Sequence, residues 1–228
     1  MSSILSSDNR YEIKICTSPD SPGLAQALGE VVQLFAAGLR FGMLPPAQLS
    51  GPVEMNVVEP CLTVEMSLTQ CTSEALSVLT GMVEFHRGRG LPIDSVAITS
   101  PNGRENQVAK ERSPIPADLP FKLLLDLPPI NRPLVILVDF TTGVSDEVRE
   151  EVCSLFMVWA AMVCGGYPPS GSEAGASGLG AGLARFLHPS LLEYSTETWH
   201  AAPECLTPIL RSLQALHIEC PITAVEVQ

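Results

Sequence analysis

Short alternating segments and longer segments with helical spacing follow one another along the first hundred residues. The clearest alternation lies in residues 62–69, where aliphatic side chains take every second position, which is typical of a strand with one buried face. Residues 22–41 carry apolar side chains at helical spacing, which predicts an amphipathic helix. The predicted order is β-α-β-β-α-β, with strands over 11–17, 53–58, 62–69 and 93–99 and helices over 22–41 and from Ser73.

The same order returns in the second half of the chain. Ser145 is suited to cap a helix, and the acidic Asp146 and Glu147 follow it in the first turn, where the helix dipole favours them. The predicted elements are strands over 134–141, 184–187, 191–198 and 222–227 and helices over 145–164 and 203–217.

Paired prolines in the two halves favour an internal duplication. Pro60 and Pro189, each in a predicted strand turn, lie 129 residues apart, and so do Pro92 and Pro221, each before a last strand. A β-α-β-β-α-β unit is the ferredoxin-like fold, in which both helices cover one face of an antiparallel sheet. The predicted fold class is therefore α+β, with two tandem ferredoxin-like units whose open sheet faces pack together or against something else.

The domain boundaries follow from composition. We predict a first ferredoxin-like unit over 1–100, a proline-rich linker over 101–132 and a second unit over 133–228. Residues 121–127 within that linker are apolar enough for an extra edge strand. The low-complexity Gly/Ser-rich loop over 165–182 has no predicted role.

The apolar content, the net charge and the cysteines of the chain argue against several classes of function. The chain is 46% apolar and has a formal charge of -12, which supports a packed core and argues against binding nucleic acid or an anionic membrane. The start of the chain has no apolar segment like that of a targeting signal, and no apolar run is long enough to predict a membrane span. Seven cysteines without a C-x-x-C pair predict a cytoplasmic protein with buried thiols, without a disulfide framework or zinc site.

The open face of the first sheet is the main candidate for binding. Alternation places Glu12, Lys14, Glu54 and Glu65 on it, with the neutral Asn56, Thr63 and Ser67. Three carboxylates on one surface suit a cation or a basic protein, or acid-base chemistry with a raised carboxylate pKa. A merely solvated sheet face explains the same pattern, and the alternation by itself favours that simpler interpretation.

The second half is more apolar. The strand over 134–141 is apolar on nearly both faces except for Asp139, and residues 152–164 of the following helix carry no charge. A helix that is hydrophobic all round is usually buried all round, so we expect this half to pack against the other half or to form a homodimer, with an apolar ligand pocket as the alternative. Asp139 would then be buried and would need a partner.

The remaining candidate sites are a basic helix end and the histidines. His86, Arg87 and Arg89 form a basic helix end, which suits the helix dipole and, alternatively, an anion site. The four histidines lack the spacing of a helical metal pair, and no phosphate-binding or nucleophile motif is present, so no metal and no cofactor is predicted.

No motif specifies a reaction, and two hypotheses follow. The first is a non-catalytic, acidic binding module, of the inhibitor or immunity type, that acts on a basic protein partner. The second is a small enzyme or ligand-binding protein with a pocket between the two sheets. Its weak catalytic candidates are Glu65, Asp139, Tyr194 and His200.

Overall fold

The chain divides into two compact units, 1–111 and 112–228. The structure is a computed structural model. The residues that it describes are 9–18, 23–44, 47–69, 73–88, 90–99, 115–129, 132–165, 182–198 and 202–228.

The first unit contains four strands and two helices among its described residues. Their bounds are β1 (Asn9–Thr17), α1 (Leu24–Arg40), β2 (Gln48–Val58), β3 (Cys61–Thr69), α2 (Ser73–Gly88) and β4 (Ile93–Thr99). The predicted order of elements is confirmed. Strand β2 begins five residues before its predicted start at Val53, because Gly51 and Pro52 are accommodated where the register with β3 shifts. Proline is tolerated there since β2 is an edge strand.

The first sheet is antiparallel with the order β2-β3-β1-β4. Its alternating pattern separates two faces. One face carries buried side chains such as Ile13, Ile15, Leu62 and Val64, all with no exposed surface. Helix α1 contributes Leu28, Val32, Phe35 and Leu39 to the buried core. The other face, with Glu12, Lys14 and their neighbours, is the open face of the first sheet.

The second unit contains five strands and two helices among its described residues. Their bounds are β5 (Lys122–Leu125), β6 (Leu134–Phe140), α3 (Asp146–Cys164), β7 (Gly182–His188), β8 (Leu191–Thr196), a short 3-10 turn (Pro203–Cys205), α4 (Leu206–Leu216) and β9 (Ile222–Val227). The helix predicted over 203–217 therefore starts with a 3-10 turn. The fold class is α+β, with a sheet and two helices in each unit.

The second sheet has the order β5-β9-β6-β8-β7. Strands β9, β6, β8 and β7 form antiparallel pairs in that order. They have the same spatial order as β4, β1, β3 and β2 of the first sheet, so β6 to β9 correspond in sequence order to β1 to β4. Strand β5 pairs in parallel with β9 and lies at the edge, so part of the predicted linker belongs to the second sheet.

An aromatic cluster forms the centre of the second core. The Phe156 and Trp159 side chains of α3 contact Tyr194 of β8, with ring centroids 5.4 and 5.5 Å away. The indole Nε1 of Trp159 donates a hydrogen bond of 2.7 Å to the Cys205 carbonyl, so the one polar atom of this buried ring is satisfied. The cluster fixes α3 and the start of α4 over the sheet.

Exposed side chains in the second unit bear on two burial predictions. Helix α3 has an exposed stripe of Ser154, Met157, Ala161 and Cys164, with Met157 48% exposed, so its burial against the other half or in a homodimer stays a prediction. Asp139 is exposed rather than buried. The expectation failed because β6 is apolar on both faces while only one face is covered by helices.

Candidate binding face on the first sheet

Three glutamates lie in one row across the open face of the first sheet. Glu65 of β3 pairs directly with Glu54 of β2 on one side and with Glu12 of β1 on the other. We call Glu12, Glu54 and Glu65 the glutamate row. Directly paired residues in an antiparallel sheet have Cα atoms roughly 4.5–5.5 Å apart, and like charges in such positions repel and destabilise the sheet.

Arg10 partly compensates this repulsion. It lies on the open face at the start of β1, and its Nη2 donates to Oε2 of Glu65 and, at 3.5 Å, to Oε2 of Glu54. The side chains of Arg10 and Glu54 are 61% and 67% exposed, so solvent screens their interaction. Within the described residues, Glu12 has no ion pair of its own.

The next row along the sheet carries the other predicted binding residue. Lys14 pairs with Thr63, and Thr63 pairs with Asn56 on the edge strand. All four predicted binding residues, Glu12, Lys14, Glu54 and Glu65, therefore lie on the same face of three neighbouring strands. Their binding role itself stays a prediction.

A shallow cavity of about 80 Å³ lies at the glutamate row. It is lined by Arg10, Pro52, Glu54, Glu65, Met66 and Ser67. Small-molecule sites usually enclose roughly 300–1,000 Å³, so this cavity is too small for a typical substrate.

A disulfide between Cys16 and Cys61 lies on the same open face. The two cysteines are direct cross-strand partners at the ends of β1 and β3, and both are partly exposed. The prediction of buried thiols without a disulfide framework is wrong for this pair, because the strand register places the two cysteines opposite each other. It is also wrong for Cys164, which is exposed, and for the partly exposed Cys153 and Cys220, while Cys205 is buried as expected. Cys71 lies outside the described residues.

The predicted catalytic candidates are not brought together in the part of the second unit that the structure describes. Asp139 and Tyr194 lie on adjacent strands but point to opposite faces, because Tyr194 pairs with Ile136 in the buried face. Burial raises the pKa of Tyr194, and so, less strongly, do the nearby Cys164 and Cys205 thiols. Glu65 lies in the other unit, and His200 lies outside the described residues.

The basic end of α2 makes hydrogen bonds within the first unit. The Arg87 Nε donates a hydrogen bond of 2.9 Å to the Ile93 carbonyl. Its Nη1 donates a hydrogen bond of 2.6 Å to the Glu84 carboxylate. These bonds join the end of the helix to the start of β4. His86 contacts the Phe85 ring edge-on, and Arg89 lies outside the described residues. The anion site therefore stays a prediction, with one of its cations already engaged.

The open face of the second sheet differs from that of the first. Arg185 of β7 donates to Glu193 of β8 at 3.0 and 2.7 Å, and the next position in that row is Leu137. Leu183 and Leu187 of the edge strand are 57% and 50% exposed. A row of adjacent carboxylates is therefore a property of the first sheet.

No group of three or more histidine, cysteine or acidic side chains is placed to hold a metal ion among the described residues. No helix in the described ranges is long and apolar enough to cross a bilayer.

Sequence reasoning missed two parts of the candidate face. Arg10 was missed because the first strand was predicted to start at Tyr11, whereas it starts at Asn9. The disulfide was missed because it depends on the register between β1 and β3. A signal for it was present, since Cys16 and Cys61 fall on the same face as Lys14 and Thr63 in the alternating pattern.

Comparisons with known proteins add little. No family model matches the chain, and no curated protein matches it. One similar solved structure is that of a proposed glycine cleavage system transcriptional repressor, with 11% identity, 96% of each chain covered and a TM-score of 0.24. Another is an unknown protein from Galdieria sulphuraria, with 13% identity, 97% of each chain covered and a TM-score of 0.22. Scores this low do not establish a shared fold or function.

Proposed function

We propose that the protein is a non-catalytic binding module whose glutamate row receives a basic segment of a protein partner. The observation that carries this proposal is the direct pairing of Glu54, Glu65 and Glu12 across three adjacent strands. Like charges in such positions cost stability, so a cation that binds between them removes a repulsion as well as forming an attraction. The arrangement thus favours the bound state.

Arg10 indicates the chemistry of the partner. Its guanidinium already contacts Glu54 and Glu65, which shows that these carboxylates accept a guanidinium group. A partner arginine or lysine would share these carboxylates with Arg10 or take its place, and would also reach Glu12. Because the Arg10 pairs are exposed, displacing them costs little.

The charge of the whole chain supports fast association. A formal charge of -12 attracts a basic protein over a distance and raises the association rate, and it repels nucleic acid and anionic membranes. An inhibitor or immunity protein for a basic toxin is one form of such a module. Salt screens this attraction, so the association rate should fall steeply with ionic strength.

Capture from a lysate of the native host tests the proposal with matched variants. The bait proteins are the wild type, Glu54→Gln/Glu65→Gln, and a control, Glu150→Gln/Glu151→Gln, which removes the same charge from an exposed part of α3. We expect a basic protein on the wild type and on the control at low salt. It should be lost from Glu54→Gln/Glu65→Gln and at high salt. Equal retention by both variants would contradict the proposal.

The enzyme alternative has less support from the geometry. It needs at least two of Glu65, Asp139, Tyr194 and His200 in one partly apolar cavity. Asp139 and Tyr194 point to opposite faces of their sheet, and the cavity beside Glu65 is too small for most substrates.

We further propose that both units are ferredoxin-like and arose by duplication. Their common strand order supports this, and so does an equivalent pair of hydrogen bonds. The Ser18 N–H donates a hydrogen bond of 2.9 Å to the Pro92 carbonyl, and the Thr141 N–H donates one of 2.8 Å to the Pro221 carbonyl. Relatives in which the two halves align at these prolines would support duplication, whereas relatives with an unrelated second half would contradict it.

The exposed leucines of β7 favour a homodimer through the second unit. Exposed apolar surface of this kind often marks an interface. Sedimentation of the wild type and of Leu183→Lys over a range of concentrations tests this: the wild type should dimerise and the variant should not. A monomer at every concentration would exclude it. A cytoplasmic location remains a prediction from the sequence.

A further inference from the structure

We infer that the Cys16–Cys61 disulfide is a reversible exchange site for small aliphatic thiols of the glutathione class. Three features of the first sheet carry this inference: the exposure of the bond, the ladder that holds both cysteines, and the charge beside them. It does not depend on whether the glutamate row binds a basic partner.

The disulfide lies on the side of the first sheet that faces away from the core. Both cysteines point to the open face rather than into the core, and both are partly exposed. Their row continues to Val58 on one side and to Ser95 on the other. A thiol can therefore approach the sulfur atoms without opening the core, which is required because exchange depends on access to the sulfur.

The ladder keeps the cysteines in place when the bond opens. Strands β1 and β3 are paired over eight residues, from Asn9 opposite Leu68 to Cys16 opposite Cys61. The turn before Cys61 is held independently, because the Thr17 N–H and hydroxyl both donate to the Pro60 carbonyl, at 2.9 and 3.0 Å. The two thiols of the reduced form thus stay opposite each other and can close the bond again.

A cationic side chain on the same face favours exchange. Lys14 lies two residues before Cys16 on the same face, in the row next to the disulfide. An ammonium group stabilises a departing thiolate. The glutamate residues Glu12 and Glu65 are one row further away, and Asp94, beside Ser95 on β4, opposes the effect of Lys14.

The exchange consists of two balanced steps. A thiolate attacks one Sγ, a new S–S bond forms, and the electron pair of the broken bond leaves on the other Sγ, which takes a proton from water. A second thiolate then attacks the outer sulfur of the mixed disulfide. The products are two protein thiols and one disulfide of the small thiol. Alternatively, the thiolate of the neighbouring cysteine attacks the protein sulfur of the mixed disulfide, which restores the original bond and releases the small thiol as its thiolate.

Equilibration of the full chain in glutathione buffers tests the inference. Acid quenching, alkylation and peptide mass spectrometry separate Cys16 and Cys61 from the other five cysteines. We expect reversible opening without denaturant, with the same midpoint from the oxidised and the reduced side. Amide exchange should show that the Ile13 and Val64 amides stay protected in the reduced form. Opening only in denaturant, lost protection on reduction, or failure of the bond to form from the reduced side would each overturn the inference.

A matched pair of variants tests the contribution of Lys14. Removing a charge near the departing thiolate should slow opening by glutathione about threefold at low salt in Lys14→Gln. The control Lys122→Gln removes an exposed lysine from the second sheet and should leave the rate unchanged. Equal rates in the two variants would overturn the assignment of the exchange to this local charge.

Discussion

The hydroxyl of Tyr194 on β8 occupies the space that a Cβ atom at position 182 of β7 would need. A Cβ built on Gly182 would overlap this hydroxyl and would lie only 2.8 Å from Cζ of the same ring. The ring cannot move away freely, because Phe156 and Trp159 pack against it. The glycine at position 182 is therefore required by this tyrosine.

Gly182→Ala should destabilise the second unit by about 1–3 kcal/mol, since it forces a methyl group into space held by the buried Tyr194 hydroxyl. Chemical denaturation with near-ultraviolet dichroism of the aromatic cluster measures the effect. The same substitution in a Tyr194→Phe background should cost less, because the overlapping hydroxyl is gone. An equal cost in both backgrounds would show that the hydroxyl is not the obstacle.

Tyr194→Phe by itself should leave stability unchanged or raise it by up to about 1 kcal/mol. The Tyr194 hydroxyl is buried and has no hydrogen-bond partner among the described residues. Its removal therefore relieves the free-energy cost of burying an unpaired polar group. Urea unfolding of the variant and the wild type is the measurement. A loss of stability similar to that of removing a normal hydrogen bond would mean that the hydroxyl is satisfied in solution.

Removing the disulfide should lower the stability of the first unit without unfolding it. The bond closes a loop with a separation of 45 residues, for which the loss of chain entropy in the unfolded state is worth about 4 kcal/mol. Cys16→Ser/Cys61→Ser should therefore show a lower denaturation midpoint and keep its native dichroism at 25 °C. Cys153→Ser, at a thiol that forms no disulfide, is the control. A midpoint equal to that of the control would contradict the prediction.

Arg10→Gln should cost up to about 1 kcal/mol at low salt, because it leaves the repulsion between Glu54 and Glu65 uncompensated. The cost should shrink as salt is added, since the charges are exposed and screened. Thermal unfolding at several salt concentrations measures this dependence. A cost that does not change with salt would indicate that Arg10 acts through packing.

The start of α3 should contribute a pH-dependent stabilisation. The backbone N–H of Glu147 and then the Ser145 hydroxyl donate to the Glu147 carboxylate and lower its pKa below the ordinary value of 4.5. Because the pKa is lower in the folded state, the stabilisation is fully present above the ordinary value of 4.5. It is lost as the pH falls through the folded-state pKa. Glu147→Gln should reduce the pH dependence of unfolding in this acidic range. An unchanged profile would contradict the role of these hydrogen bonds.

Local patterns predicted the elements well where one face of a strand is buried. The alternation of Leu62, Val64 and Met66 placed the correct face of β3 in the core because the helices cover only that face. The same logic failed for Asp139, since an apolar strand does not reveal whether its second face is covered. The start of β2 was missed because Gly51 and Pro52 resemble a loop unless the position of the strand at the sheet edge is known.

The candidate face was predictable only in part for a related reason. Alternation placed Glu12, Glu54 and Glu65 on one face, but their direct pairing depends on the register between three strands. The register is set by long-range pairing that no single segment encodes. The cross-strand position of Cys16 and Cys61 depends on the same register.

A map of amide shifts in the isotope-labelled protein, on titration with a short oligolysine peptide, shows most directly whether the glutamate row binds a basic segment. The shifts should concentrate on β1, β2 and β3 around the glutamate row and disappear at high salt. They should also be lost in Glu54→Gln/Glu65→Gln and kept in Glu150→Gln/Glu151→Gln. Shifts that concentrate on the acidic start of α3, or that spread evenly over the chain, would contradict the account.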